Sequence, residues 1–200
     1  MHPDKRFHWT DREAIRAFVA ETRFGTLFLA TPDGPRTAHV PVIWQGEDHL
    51  AFHLSRANAL TPHIDGARAL LVVNGPHGYV SPDYYGMDDQ VPTWNYVAAE
   101  LEGQVTAIDA AGLPALIDAL SAESEQRLAP KPAWTRDKMT GGLFERMLGA
   151  ITGYRLEVDT WRGTRKLGQN KPAAARKAAA DGMARAGDTA IAALMRDIAP

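Results

Sequence analysis

The stretch VPTWNYVAAELEG, residues Val91 to Gly103, decides how this chain is read. From Val97 the apolar residues alternate, and Val97, Ala99 and Leu101 share one face, the period of a half-buried strand. The head of the stretch is different. Pro92 cannot donate to a sheet ladder, and Thr93, Trp94 and Asn95 place polar and aromatic groups where a strand would take Val or Ile. Core packing, a subunit interface and the wall of a ligand site all remain open for them.

The same strand period recurs on both sides. Phe24 to Thr31 (FGTLFLAT) runs into the turn signal Pro32-Asp33-Gly34-Pro35, and Arg36 to Trp44 (RTAHVPVIW) reads as the returning strand. Pro41 predicts an edge or a bulge there. His49 to Leu54 is a third strand, Ser55 to Arg68 a loop with one helical turn, and Ala69 to Asn74 a strand buried on both faces. Residues 75 to 92 read as a long ordered loop around a short strand near Tyr79. Ile151 to Asp159 is the last strand, leading into a turn at Gly163.

Helices frame these strands. Thr10 and Glu13 have capping-box spacing before Ile15, Phe18, Val19 and Thr22, which predicts a helix over residues 11–22. Leu113, Leu116, Ile117 and Leu120 mark a second, and Gly142 to Leu148 a shorter third. From Pro172 the chain turns Ala-, Arg- and Lys-rich, a helical tail that Gly182 and Gly187 should weaken. The fold class is therefore α+β, a mostly antiparallel, coiled or barrel-like sheet with peripheral helices. One domain over residues 1–171, with helices inserted at about 110–150, and a tail over 172–200 are expected.

Composition narrows the function classes. The 200 residues carry a net charge of −2, which speaks against a broad electrostatic footprint for nucleic acid. With no Cys there is no disulfide framework and no thiolate chemistry. No run approaches the roughly 20 apolar residues of a membrane span, and the N-terminal residues hold no apolar signal region, so a cytoplasmic protein is expected.

One loop has the residue types of an anion site. Ser55, Arg56 and Asn58 set a hydroxyl, a guanidinium and an amide together where the third strand ends, as a phosphate monoester requires. The alternative is a surface loop with a solvated Arg56 and an Asn58 that supports a turn. His49 and His53 are four apart, which on a strand separates them by about 13 Å, too far for one metal ion. His39 and His53 fall on neighbouring strands; no metal site is expected, though one His could ligate haem. No nucleophile elbow, Walker loop, paired carboxylates or helix-turn-helix is present, so no catalytic residue is assigned.

Taken together, GPHGYVSPDYY, VPTWNYVAAELEG, ITGYRLEVD and KLGQNK resemble the PaiB family, described as FMN-binding negative transcriptional regulators. The N-terminal MHP and the HVPVIW and FHLSRAN segments also fit, so the likeness covers residues 1 to about 171. The family implies a split β-barrel similar to pyridoxamine phosphate oxidase and the flavin reductases, a homodimer with FMN at the subunit interface. Transferred to this chain, His39, Val40 and Pro41 lie beside the flavin ring, near His53. Ser55, Arg56 and Asn58 take its phosphate, and Thr93, Trp94 and Asn95 line the ring. Trp161, Lys166, Gln169 and Asn170 resemble a C-terminal stretch that reaches the neighbouring subunit's flavin. Gly168 departs from the Ser common in the family, and Leu60 and Thr61 stand where an aromatic is expected.

On this likeness Thr93 and Asn95 are read as ligand wall, and Trp94 and Tyr96 keep a core-packing reading beside it. The expected function is a flavin-dependent negative regulator, for which direct contact with DNA has no support in the residues themselves. The alternatives are an FMN-dependent oxidoreductase, with His77, Tyr79, Tyr84 and Tyr85 on its substrate side, and a haem-binding split barrel.

Overall fold

The computed structural model describes residues 2–198. Its elements in chain order are β1 (His8–Trp9), α1 (Arg12–Thr22), β2 (Phe24–Thr31), β3 (Gly34–Pro41), β4 (Ile43–Trp44), β5 (His49–Ser55), α2 (Thr61–Ile64), β6 (Arg68–Val80), β7 (Thr93–Ala107), α3 (Leu113–Gln126), α4 (Leu143–Leu148), β8 (Ile151–Lys166), α5 (Ala173–Arg185) and α6 (Thr189–Arg196). The strands form one sheet in the order β3-β2-β6-β7-β8-β5-β4, with β1 paired to β8. The ends of this order, β3 and β4, are separated in the chain by Val42 alone. That link coils the sheet back on itself without closing it, and the result is an α+β split barrel.

The chain packs as two compact units. The barrel unit comprises Arg16–Val72 and Leu101–Trp161. In it β5 pairs antiparallel with β8 from His49↔Glu157 to Ser55↔Ile151. This register turns Leu50, Phe52 and Leu54 inward, where Phe52 stacks on Tyr154 at 5.7 Å between ring centroids. Ala51 faces outward and is covered by Leu113 and Leu116 of α3. β3 ends the strand order, so Pro35 and Pro41 sit on an edge strand, where a missing N–H costs least.

The second unit comprises the N-terminal segment to Ile15, Val73–Glu100 and the chain from Arg162 onward. Its core joins Val73, Val80, Val97 and Ala99 with the small residues Ala175, Ala179, Ala180 and Ala192, and with Met183, Ile191 and Met195. Alanine keeps helical propensity high while letting α5 approach its neighbours closely. Arg176 is buried (5% exposed) without an acidic partner among the described residues. Its Nε donates to the Met195 carbonyl at 3.1 Å and its Nη2 to the Ile198 carbonyl at 3.0 Å. A cation thus caps carbonyls at the C-terminal end of α6 that have no intrahelical partner.

Several local expectations change. The cap of α1 is Asp11, whose Oδ1 accepts from the Ala14 amide at 3.0 Å, and not Thr10. β6 continues through Gly75-Pro76-His77-Gly78 to Val80, so the loop shortens to residues 81–92. Gly163 is no turn: it lies within β8 opposite Trp9, and a Cβ there would fall 2.7 Å from the Trp9 carbonyl oxygen. Only glycine lets β1 lie against the long strand at that point. The tail forms a helical hairpin, α5 and α6, broken at Gly187.

Asp11→Ala should destabilise the protein by about 1 kcal/mol, the usual cost of an N-cap, whereas Thr10→Ala should leave it nearly unchanged. Urea unfolding of the two variants measures this directly, and equal losses would return the cap to Thr10.

Candidate functional site

The loop after β5 is folded by its own polar groups. Ser55 Oγ accepts from the Ala57 amide at 3.2 Å, and Asn58 Oδ1 accepts from the Leu60 amide at 2.9 Å. Arg56 is tied through its backbone, its amide donating to the Ala150 carbonyl at 2.9 Å. Each side chain therefore spends acceptors, or nothing, on the fold. The Ser55 hydroxyl proton, the Asn58 amide hydrogens and the exposed Arg56 guanidinium have no partner among the described residues. Three sets of donors with no competing acceptor is the chemistry of an anion cradle.

Beside this loop β3 and β5 present their outer faces. Val40 points its side chain into the interior (1% exposed), which leaves only its backbone for a ligand. His39 is exposed, shares a hydrogen bond between Nδ1 and Thr26 Oγ1 at 3.0 Å, and stacks on Phe24. Pro41 and His53 line one cleft. Burial pushes the His53 imidazole below its ordinary pKa, and its Nδ1 has no hydrogen-bond partner among the described residues. Trp161, also in the barrel unit, stacks nearly parallel on Trp44 at 5.3 Å, with the Arg16 guanidinium 4.6 Å from the Trp44 ring.

In the second unit the structure joins Thr93 to Lys166, whose ammonium donates to Thr93 Oγ1. Burial holds this lysine below its ordinary pKa. Asn95 falls in phase with Val97 and Ala99 and is buried (1% exposed), its Nδ2 donating to Met195 Sδ at 3.3 Å. Trp94 takes the opposite phase and is 55% exposed, so its core-packing reading is corrected. It lies with His77 and Tyr79 in an aromatic patch. Tyr85 is buried beneath the Lys171 ammonium. Gln169 closes its own turn, Oε1 accepting from the Leu167 amide and Nε2 donating to the Arg165 carbonyl, while Asn170 is exposed.

The family described as "Putative FMN-binding domain" matches residues 1–160. The chain belongs to this FMN-binding family. It is 28% identical over 175 residues to protease synthase and sporulation protein PAI 2 of Bacillus subtilis (strain 168), covering 86% of this chain and 83% of that one. The PaiB likeness read from TWNY and KLGQN is thus borne out. Among solved structures, the FAD and heme binding protein of Mycobacterium smegmatis aligns with a TM-score of 0.58 at 22% identity, over 80% of this chain and 73% of that chain. The flavocytochrome Anf3 of Azotobacter vinelandii aligns at 0.57 and 17%, over 82% and 72%. At these identities the two share the fold with this family member. No helix among the described residues is long and apolar enough to cross a membrane.

The family departure at residue 168 has a backbone reason. Gly168 has φ +84°, in the left-handed region, and a Cβ there would lie 3.4 Å from Arg176 Cγ. What the sequence reading missed is the segment between α3 and α4, where Trp134 meets Ser121 and Glu125 of α3 beside His53. No periodicity marks that segment. Gly168→Ser, which restores the residue common in the family, should cost about 1–2 kcal/mol of stability in thermal or urea unfolding. An unchanged midpoint would mean that the turn relaxes freely.

Proposed function

We propose that this chain is an FMN-binding negative transcriptional regulator of the PaiB type that works as a homodimer with flavin at the subunit interface. The observation that carries the FMN site is the set of unspent donors on the Ser55–Asn58 loop, which suits a phosphate monoester. Arg56 supplies the forked charged donor, with Ser55 and Asn58 as neutral donors on either side. His39, Pro41 and His53 on the outer face of β3 and β5 border the ring, and the backbone of Val40 is available to its polar edge. Thr93, Trp94, Trp161, Lys166, Gln169 and Asn170 remain proposed contacts. Asn95 acts on the ring only by fixing the start of β7, since its amide is engaged with Met195. FMN, when bound, supplies reversible electron chemistry, and the protein's part is to hold and orient it.

The regulatory output is supported by the likeness to the Bacillus subtilis protein, whose name ties that protein to protease synthesis and sporulation. A slightly acidic chain favours an indirect route over operator binding through a broad basic surface. Haem is the alternative cofactor. His39 and His53 each have Nδ1 engaged or buried, so Nε2 is the nitrogen that either would offer an iron.

Arg56→Ala should weaken FMN binding by about 30- to 150-fold, the equivalent of about 2–3 kcal/mol for a charge-assisted contact. Fluorescence titration of free FMN reads this, and unchanged affinity would make Arg56 a solvated surface cation. Fluorescence anisotropy on promoter-length DNA at low salt should show no tight binding by the protein alone. Binding that falls steeply with salt would instead establish direct contact.

A further inference from the structure

The cleft that Pro41 and His53 line in the barrel unit extends past the proposed flavin border to α3, where its chemistry differs from that of the phosphate loop. Its walls are Pro41 of β3, His53 of β5, Ile117 and Leu120 of α3, and the indole of Trp134, enclosing about 300 Å³. Ser121 and Ser124 of α3 add two hydroxyls, neither with a hydrogen-bond partner among the described residues. Glu125 borders the same space, but its carboxylate is committed: it accepts from the Trp134 amide at 2.8 Å and pairs with the Lys131 ammonium. That clasp also fixes the Trp134 backbone beside the cleft, and the residue is 38% exposed.

His53 sets the polarity. Its Nδ1 is buried without a partner among the described residues, which leaves Nε2 as the ring nitrogen for a ligand. Burial disfavours the charged ring. The cleft thus offers an imidazole nitrogen, two hydroxyls, an aromatic side chain and aliphatic walls, and its one carboxylate, that of Glu125, is paired with Lys131.

We infer that this cleft is a binding site for a small, flat, uncharged aromatic molecule bearing a hydrogen-bond acceptor such as a carbonyl. Trp134 stacks on its face, and His53 with Ser121 and Ser124 holds its polar end. The site shares Pro41 and His53 with the proposed border of the flavin ring and rests on that reading at those two residues; α3 and Trp134 supply its other walls. It deepens the proposed function by giving the protein a ligand to sense, or to place near the flavin, that is not the flavin.

The test uses 4-methoxyacetophenone as probe, followed by saturation-transfer-difference NMR and calorimetry on the full chain with and without FMN. Wild-type protein should bind the probe in both states. Ser121→Phe, which fills the cleft, should abolish binding, and Trp134→Ala should weaken it about three- to tenfold through loss of the aromatic contact. Arg56→Ala should lose FMN and keep the probe, which separates this site from the phosphate loop. Circular dichroism confirms that each variant is folded. Absence of binding to the wild type, full binding to Ser121→Phe, or competitive displacement of the probe by FMN would each overturn the inference.

Discussion

The register of β5 against β8 is the constraint on which the barrel unit depends. Pairing Phe52 with Tyr154 and Leu50 with Leu156 sends one phase of β5 into the core and leaves Ala51, His53 and Ser55 on the other. A slip of one residue would exchange these sets, burying a hydroxyl and an imidazole and stranding three large apolar side chains outside. The apolar loss alone forbids that, at roughly 1.5–3 kcal/mol for each side chain. The core thus fixes where the polar groups of the site emerge, and the small size of Ala51 lets α3 sit down beside them.

Much of this was legible in residue patterns. The alternation in HLAFHL and in VAAELEG located β5 and β7, and the turn at residues 32–35 joined β2 to β3. The Ser55-Arg56-Asn58 triplet was legible as a phosphate loop or as an ordinary turn. The structure shows why both descriptions hold at once: the acceptors make the turn and the donors are left over. Asn95 could have been placed by counting back from Val97 in steps of two, which puts it on the buried face. The unusual residue type outweighed the simple period.

What the pattern could not give were features set by distant contacts. Gly163 reads as a turn until β1 is known to lie against it. Gly75, Pro76 and Gly78 read as a loop, yet β6 runs through them. The position of Trp134 depends on Glu125 binding its amide, and nothing local to Pro132-Ala133-Trp134-Thr135 announces that contact. Long-range packing made each of these choices.

The Arg176 clamp sets the C-terminal hairpin apart from the surface of the molecule. Most of the paired arginines here, such as Arg68 with Asp159 or Arg196 with Asp181, meet carboxylates, and acid discharges such pairs. Arg176 instead holds two peptide carbonyls, which do not titrate. Burial also shields it from dissolved ions. The α5–α6 hairpin is thus fastened by an attachment that neither acidification nor added electrolyte loosens, while carboxylate-paired arginines give way.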